Sequence, residues 1–136
     1  MTQSSDLSSV MQPVATAKGL PNAHYVDPAA FDEERTSVLF ANWSGVGFAK
    51  DVPNEGDAKP VDFLGVPLLI LRDADDQVRV YQNTCRHRGM ILVSEETNIR
   101  GTIRCPYHSW CYGLDGKLRS TPHVGGPGQN LSLIHI

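Results

Sequence analysis

The sequence predicts a small, antiparallel, mostly β domain with two ligand-bearing loops, preceded by one short α-helix. Three observations lead there. From Trp43 onward, short apolar stretches alternate with clusters of Gly, Pro, Asp and Asn, the pattern of hairpins joined by turns. One helix start precedes them, at Asp27-Pro28, where Asp can cap and Pro suits the first helical position. Two Cys/His pairs, Cys85-x-His87 and Cys105-x-x-His108, interrupt the strand pattern.

Residues 1–26 read as a flexible arm, because the first nineteen are rich in Ser, Gln, Thr and Ala without sustained periodicity. A helix follows over residues 27–41. Phe31, Arg35, Val38 and Leu39 share one face of it, expected to pack on the edge of the following sheet. Glu33 and Glu34 fall in its early turns, where the helix dipole favours negative charge. Strands are expected over residues 43–48, 59–63, 66–72, 78–82 and near 99–104, with turns at 53–56, Leu64-Gly65 and 73–76. Val78 and Val80 should share a face. Asp115-Gly116 between residues 110–112 and 117–119 is a strong hairpin signal. Residues 121–130, rich in Gly and Pro, read as a loop.

The 136 residues, 40% hydrophobic and 20% charged, are enough for one domain with a real core. A net charge of -3 is poor equipment for binding nucleic acid through a broad basic surface. No apolar run approaches the roughly 18 residues that span a bilayer, and no basic stretch followed by an apolar one marks a secretory signal. Three cysteines, Cys85, Cys105 and Cys111, make an odd count that argues against a disulfide framework. They fit a reducing, cytoplasmic location, where Cys/His motifs more often hold metal.

Each half of the motif offers one thiolate and one imidazole. A [2Fe–2S] cluster with two thiolates on one iron and two imidazoles on the other needs that set, delivered by two loops at the tip of a sheet. Alternate residues of an extended loop project the same way, which suits Cys85 and His87. A tight turn through Pro106 suits Cys105 and His108, and Gly89 permits torsions that a Cβ would obstruct. A structural zinc site uses the same residue types, but zinc knuckles usually pair cysteines with cysteines and histidines with histidines.

At these residues a family resemblance becomes specific. Cys85-Arg-His-Arg-Gly89 and Cys105-Pro-Tyr-His-Ser-Trp110, followed by Tyr112 and Leu114-Asp-Gly-Lys-Leu118, resemble the Rieske domain of ring-hydroxylating oxygenase α subunits. That family includes relatives acting on choline, carnitine and betaine-like amines. The resemblance runs from about Leu20 to Asn130 and implies a Rieske-type sandwich or barrel over residues 42–130. It implies that Cys85, His87, Cys105 and His108 bind the [2Fe–2S] cluster, with His108 the exit for the electron. It further implies a ferredoxin or flavin reductase as donor, and a mononuclear Fe(II) in a separate domain that activates O₂. That domain would hydroxylate an aromatic or quaternary-amine substrate, as a monooxygenase or a dioxygenase, in a homotrimer. The chain as given should move electrons but hydroxylate nothing alone. The alternatives are a stand-alone Rieske-type ferredoxin and a zinc-binding module.

Departures refine the resemblance. Met90 and Tyr107 stand where Rieske proteins of respiratory complexes carry disulfide-forming cysteines. A potential near roughly -150 mV rather than +300 mV is therefore expected. Ser109 stands where many relatives have Gly; it would either donate toward a cluster sulfur or face water. Cys111 reads as a small buried apolar residue, and Trp110 and Tyr112 as core packing or a shield for the cluster. Arg86 and Arg88 are solvated charges or guides for an acidic donor; His24 and His123 read as surface residues. Residues 131–136, Leu-Ser-Leu-Ile-His-Ile, are what CTG-TCT-CTT-ATA-CAC-ATC encodes, a match to a transposon-end sequencing adapter. Native sequence is then expected to stop near Asn130, His135 carries no meaning, and the chain is the front of a larger protein.

Overall fold

The computed structural model describes residues 7–122. The expectations for His123, for most of the Gly- and Pro-rich loop and for residues 131–136 lie outside the described residues. The chain divides into two compact units, Met1–Gly45 and Val46–Ile136.

In the first unit, the residue before Pro28 sets the layout. Asp27 is extended, with φ -87° and ψ 119°, because a following proline disfavours the helical region. The helical run is therefore split into α1, Ala23–Val26, and α2, Pro28–Glu34. Asp27 caps α2 as its sequence implies, its side chain accepting the Ala29 N–H at 2.9 Å. The expected helix to residue 41 does not continue regularly. Beyond Glu34 the chain widens into a π-helical turn over Arg35–Leu39, closed by Phe40 N–H to the Arg35 carbonyl at 2.9 Å. Thr36 gives the reason: its hydroxyl bonds back to the carbonyls of Asp32 and Glu33 at 2.9 and 3.2 Å, competition that loosens a helix. Phe31 and Val38, the face expected to pack on a sheet, are exposed. His24 also departs from expectation: it is half-buried and lines a shallow cavity with Leu20, Ala30 and Val38.

The second unit is β. Strands β1 (Asp57–Phe63), β2 (Val66–Arg72), β3 (Val78–Gln82) and β4 (Thr97–Asn98) form an antiparallel sheet ordered β3-β2-β1-β4. Strands β5 (Thr102–Arg104), β6 (Cys111–Gly113) and β7 (Leu118–Ser120) form a second, ordered β5-β6-β7. Residues 43–48 were expected to be a strand. They pair with no strand among the described residues, since glycines at 45 and 47 weaken a strand that has no partner to hold it.

Turn chemistry sets the registers. Leu64-Gly65 closes a two-residue hairpin with Phe63 opposite Val66, and Asp62 accepts the Gly65 N–H at 2.9 Å. Gly116 has φ +79°, and a Cβ there would meet the Tyr81 ring at 2.6 Å. The Asp-Gly turn thus lies against β3, where the Tyr81 hydroxyl donates to the Leu114 carbonyl at 2.9 Å. Alternation in β3 is as expected, with Val78 and Val80 on one face. Val78 and Val80 face outward, whereas Tyr81 packs against the core, because Tyr81 can also satisfy its hydroxyl there.

One core joins the two sheets. Ala58, Leu69 and Leu71 come from the first, Ile103, Tyr112, Leu114 and Leu118 from the second sheet and its hairpin, and Cys85, Val93, Cys105 and Trp110 from the connecting loops. Each large apolar side chain buried here contributes about 1.5–3 kcal/mol. Both motif cysteines are therefore core residues.

Asp73 holds the β2–β3 turn. It is 2% exposed and accepts the N–H groups of Asp75 and Gln77, each at 2.9 Å, and the Arg79 guanidinium. The Arg79 hydrogen bond holds the Asp73 carboxyl below the ordinary carboxylate range; burial opposes this, and the backbone donors reinforce it. A depressed folded pKa adds stability that is present above the unfolded value, about 4, and lost as pH falls through the folded one. Asp73→Asn should lower the urea midpoint at pH 7 and flatten the loss of stability between about pH 5 and 2, measured by denaturation across that range.

Candidate metal centre

Two loops of one design carry the motif. In the first, Cys85 N–H donates to the Met90 carbonyl and Gly89 N–H to the Cys85 carbonyl, both at 2.8 Å. In the second, Cys105 N–H donates to the Trp110 carbonyl at 2.8 Å and Ser109 N–H to the Cys105 carbonyl at 3.0 Å. Each cysteine thus opens a six-residue frame, bonded to the fifth residue after it and receiving the fourth. That fourth residue is left-handed in both loops, Gly89 at φ +69° and Ser109 at φ +59°. Nothing lies within 4 Å of a Cβ built on Gly89, so its requirement is torsional rather than steric.

The frames are anchored to the sheets. Buried Asn83, at the end of β3, donates its N–H to the Pro67 carbonyl at 2.8 Å. Its side chain gives to the Val93 carbonyl at 2.7 Å and accepts the Val93 N–H at 3.0 Å, closing the first loop at its base. The second loop needs no such clasp, because β5 and β6 pair up to Arg104 opposite Cys111.

The anchored frames bring the expected residues together. Cys85 and Cys105 are each 2% exposed and belong to the same buried core cluster. His87 and His108 are half-exposed, with ring centroids 4.7 Å apart at 66°. Among the described residues no three His, Cys, Asp or Glu side chains gather around one point. The four stand as a buried thiol pair and an outer imidazole pair, which suits two irons with two protein ligands each better than one four-coordinate ion.

The surroundings suit a negatively charged inner pair. Burial raises the Cys105 thiol, but the backbone N–H groups of His108 and Tyr107 and the Cys85 side chain outweigh it, and the thiol titrates below its ordinary value. Tyr112 receives the Arg86 N–H on its hydroxyl oxygen at 3.0 Å. The same hydroxyl meets Cys85 Sγ at 3.3 Å, and donates to it when that sulfur is a thiolate. Burial, then this contact with Cys85, pushes the Tyr112 phenol well up, so it stays a donor. On the outer side, Trp110 stacks on His87 at 4.7 Å and 7°, and Tyr107 covers His108 at 3.7 Å.

Several roles were not read from the sequence. Asn83 as a clasp and Tyr112 as a sulfur donor depend on contacts across residues 83–93 and 85–112. The Ser109 hydroxyl neither reaches a cysteine sulfur nor simply faces water: it accepts Arg104 Nη2 at 3.0 Å. Cys111 is half-buried rather than buried, its Sγ–H donating to the Ser109 carbonyl at 3.3 Å. All three cysteines are free.

The family model described as the Rieske [2Fe-2S] domain matches residues 42–130. The chain belongs to this family. A Rieske domain binds a [2Fe–2S] cluster, and the paired thiols and imidazoles fit that group. The carnitine monooxygenase oxygenase subunit of Escherichia coli (strain K12) is 33% identical over 99 residues, 73% of this chain and 26% of that protein. A structure of a quaternary ammonium Rieske monooxygenase, described with carnitine oxidation and inter-subunit electron transfer, matches with TM-score 0.70 and 28% identity, covering 76% of this chain and 28% of that one. Naphthalene 1,2-dioxygenase from Rhodococcus sp. bound to indole matches with TM-score 0.75 and 30% identity, covering 86% and 27%. The chain thus spans about a quarter of the length of the curated relative it matches.

A hydrogen bond to a sulfur stabilises the more negative, reduced cluster. Tyr112→Phe should therefore lower the midpoint potential of this Rieske centre, by about 40 mV for a contact worth about 1 kcal/mol. Redox titration followed by EPR checks the shift.

Proposed function

We propose that this Rieske domain is the electron relay of an oxygenase subunit, and that Cys85, His87, Cys105 and His108 are the four ligands of its cluster. The observation that carries this reading is the pair of matching frames, which hold two thiols in one buried core and two imidazole rings 4.7 Å apart. When bound, the cluster supplies one-electron transfer. The chain's residues do the rest. Cys85 and Cys105 exclude water from the inner side, the N–H groups of Tyr107 and His108 and the Tyr112 hydroxyl offset negative charge, and Trp110 orients His87 by stacking. His108 is the proposed electron exit, since it is the motif imidazole on the second loop and is partly open to solvent.

In the full-length protein the electron goes to a mononuclear Fe(II) in a further domain, which activates O₂ to hydroxylate a quaternary amine or an aromatic ring. Relatives of both kinds support that range, and their greater length supports a further domain. A homotrimer is proposed as the assembly, and the cytoplasm as the location. Three free cysteines support the latter, and no helix among the described residues is long and apolar enough to cross a membrane. EPR of the reduced protein tests the ligand set. His87→Ala and His108→Ala should each abolish the Rieske signal, and Cys111→Ser should keep it. A colourless, EPR-silent protein with stoichiometric zinc would overturn the reading.

The donor is proposed to be an acidic ferredoxin or flavin reductase. Arg86, Arg88 and Arg104 are exposed on the ligand loops, and no carboxylate pairs with them among the described residues. Between Asp76 and Asp115 the chain carries acids only at Glu95 and Glu96, which leaves a positive tip on a chain of net charge -3. Reduction by an acidic ferredoxin should slow as salt rises. The double variant Arg86→Gln/Arg88→Gln should be about tenfold slower at low salt with a shallower salt dependence, read by stopped-flow absorbance.

A further inference from the structure

The two ligand frames differ at one strained position. The first fills its left-handed residue with Gly89 and the second with Ser109, at φ +59°. A side-chain-bearing residue held there costs on the order of 1–2 kcal/mol and persists only where its surroundings over-determine it. The frame hydrogen bond from the Ser109 N–H has its counterpart at Gly89, so it does not account for the difference. Two further contacts belong to the second loop alone. Cys111 Sγ–H reaches the Ser109 carbonyl at 3.3 Å, a weak donor. Arg104 Nη2 reaches Ser109 Oγ at 3.0 Å, a charge-assisted bond.

Arg104 is well placed for this. It ends β5 directly before Cys105 and lies opposite Cys111 on β6. Its side chain therefore ties the strand entering the loop to the arm leaving it. Ser109 in turn separates His108 from Trp110. The torsion of this one residue sets where His108 sits behind it and where Trp110 goes ahead of it, and Trp110 stacks on His87.

We propose that Arg104 is a positioning residue for the metal centre: it clamps Ser109 in the left-handed conformation and, through Ser109, fixes His108 and the Trp110–His87 stack. This rests on the reading of His108 as a cluster ligand. The clamp is needed because residue 109 has a side chain; with glycine there, the torsion would cost little and the clamp would be idle.

The test is a double-mutant cycle on the cluster-loaded full-length protein, with Arg104→Met, Ser109→Gly and both together. The readouts are the rate of iron release to an excess of chelator and the EPR spectrum of the reduced centre. Arg104→Met alone should speed iron release about fivefold and broaden the spectrum. In the Ser109→Gly background, the same change should alter the rate by less than about twofold. Equal acceleration in both backgrounds, or none in either, overturns the clamp. If Arg104→Met fails to load the cluster, adding Ser109→Gly should restore loading, and failure to restore it also overturns the proposal. His108→Ala tests the ligand reading separately: a retained Rieske signal there would sink that reading, whereas the clamp stands or falls on the dependence on background.

Discussion

The architecture depends on bringing two thiols into one protein core. Cys85 and Cys105 are distant in sequence, and an isolated buried thiolate is unfavourable. Each has to be delivered with donors already aimed at its sulfur. The chain does this by repeating one loop frame twice and anchoring each copy on a different sheet. The core then serves two ends. Leu69, Leu71, Ile103 and Leu118 stabilise the fold, and they also seat Cys85 and Cys105 away from water.

This constraint explains the polar groups that break the apolar pattern. Asn83 is fully buried, which is costly unless every group is paired; here it is, through Pro67 and both polar groups of Val93. Tyr112 is buried with its hydroxyl between the Arg86 N–H and Cys85 Sγ. Both residues exchange apolar packing for position. The first holds the base of a loop whose neck carries only a single antiparallel bridge, Thr84 to Ile91, and the second brings its hydroxyl to Cys85 Sγ.

Much of this was legible in the sequence because its physics is local. Strand alternation, the Asp-Gly turn and the Asp27 cap each depend on a few neighbouring residues, and the structure carries all of them. What could not be read depends on partners far along the chain. Residues 43–48 have strand composition but pair with nothing among the described residues. Which face of β3 meets the core is settled by Tyr81, whose hydroxyl finds the Leu114 carbonyl. The π-helical turn after Glu34 is an intermediate case: Thr36 is visible in the sequence, but its choice of backbone carbonyls over solvent is not.

The placement of charge separates two tasks on a small surface. Inside, backbone N–H groups serve Cys105 and the Tyr112 hydroxyl meets Cys85, and among the described residues no cation is buried with them. A buried guanidinium would favour the reduced cluster strongly but would carry a large desolvation cost. Outside, the arginines sit on exposed positions next to the motif residues, where solvation costs them little and their field still extends about a Debye length, roughly 8–10 Å. That distance covers the approach of a docking protein. Arg104 bridges the two: its charge stays in water with the others, while its Nη2 donates to the hydroxyl of Ser109, the residue after His108. Fixed dipoles inside and exposed charge outside are thus kept apart, with Arg104 the exception that also contacts the second loop.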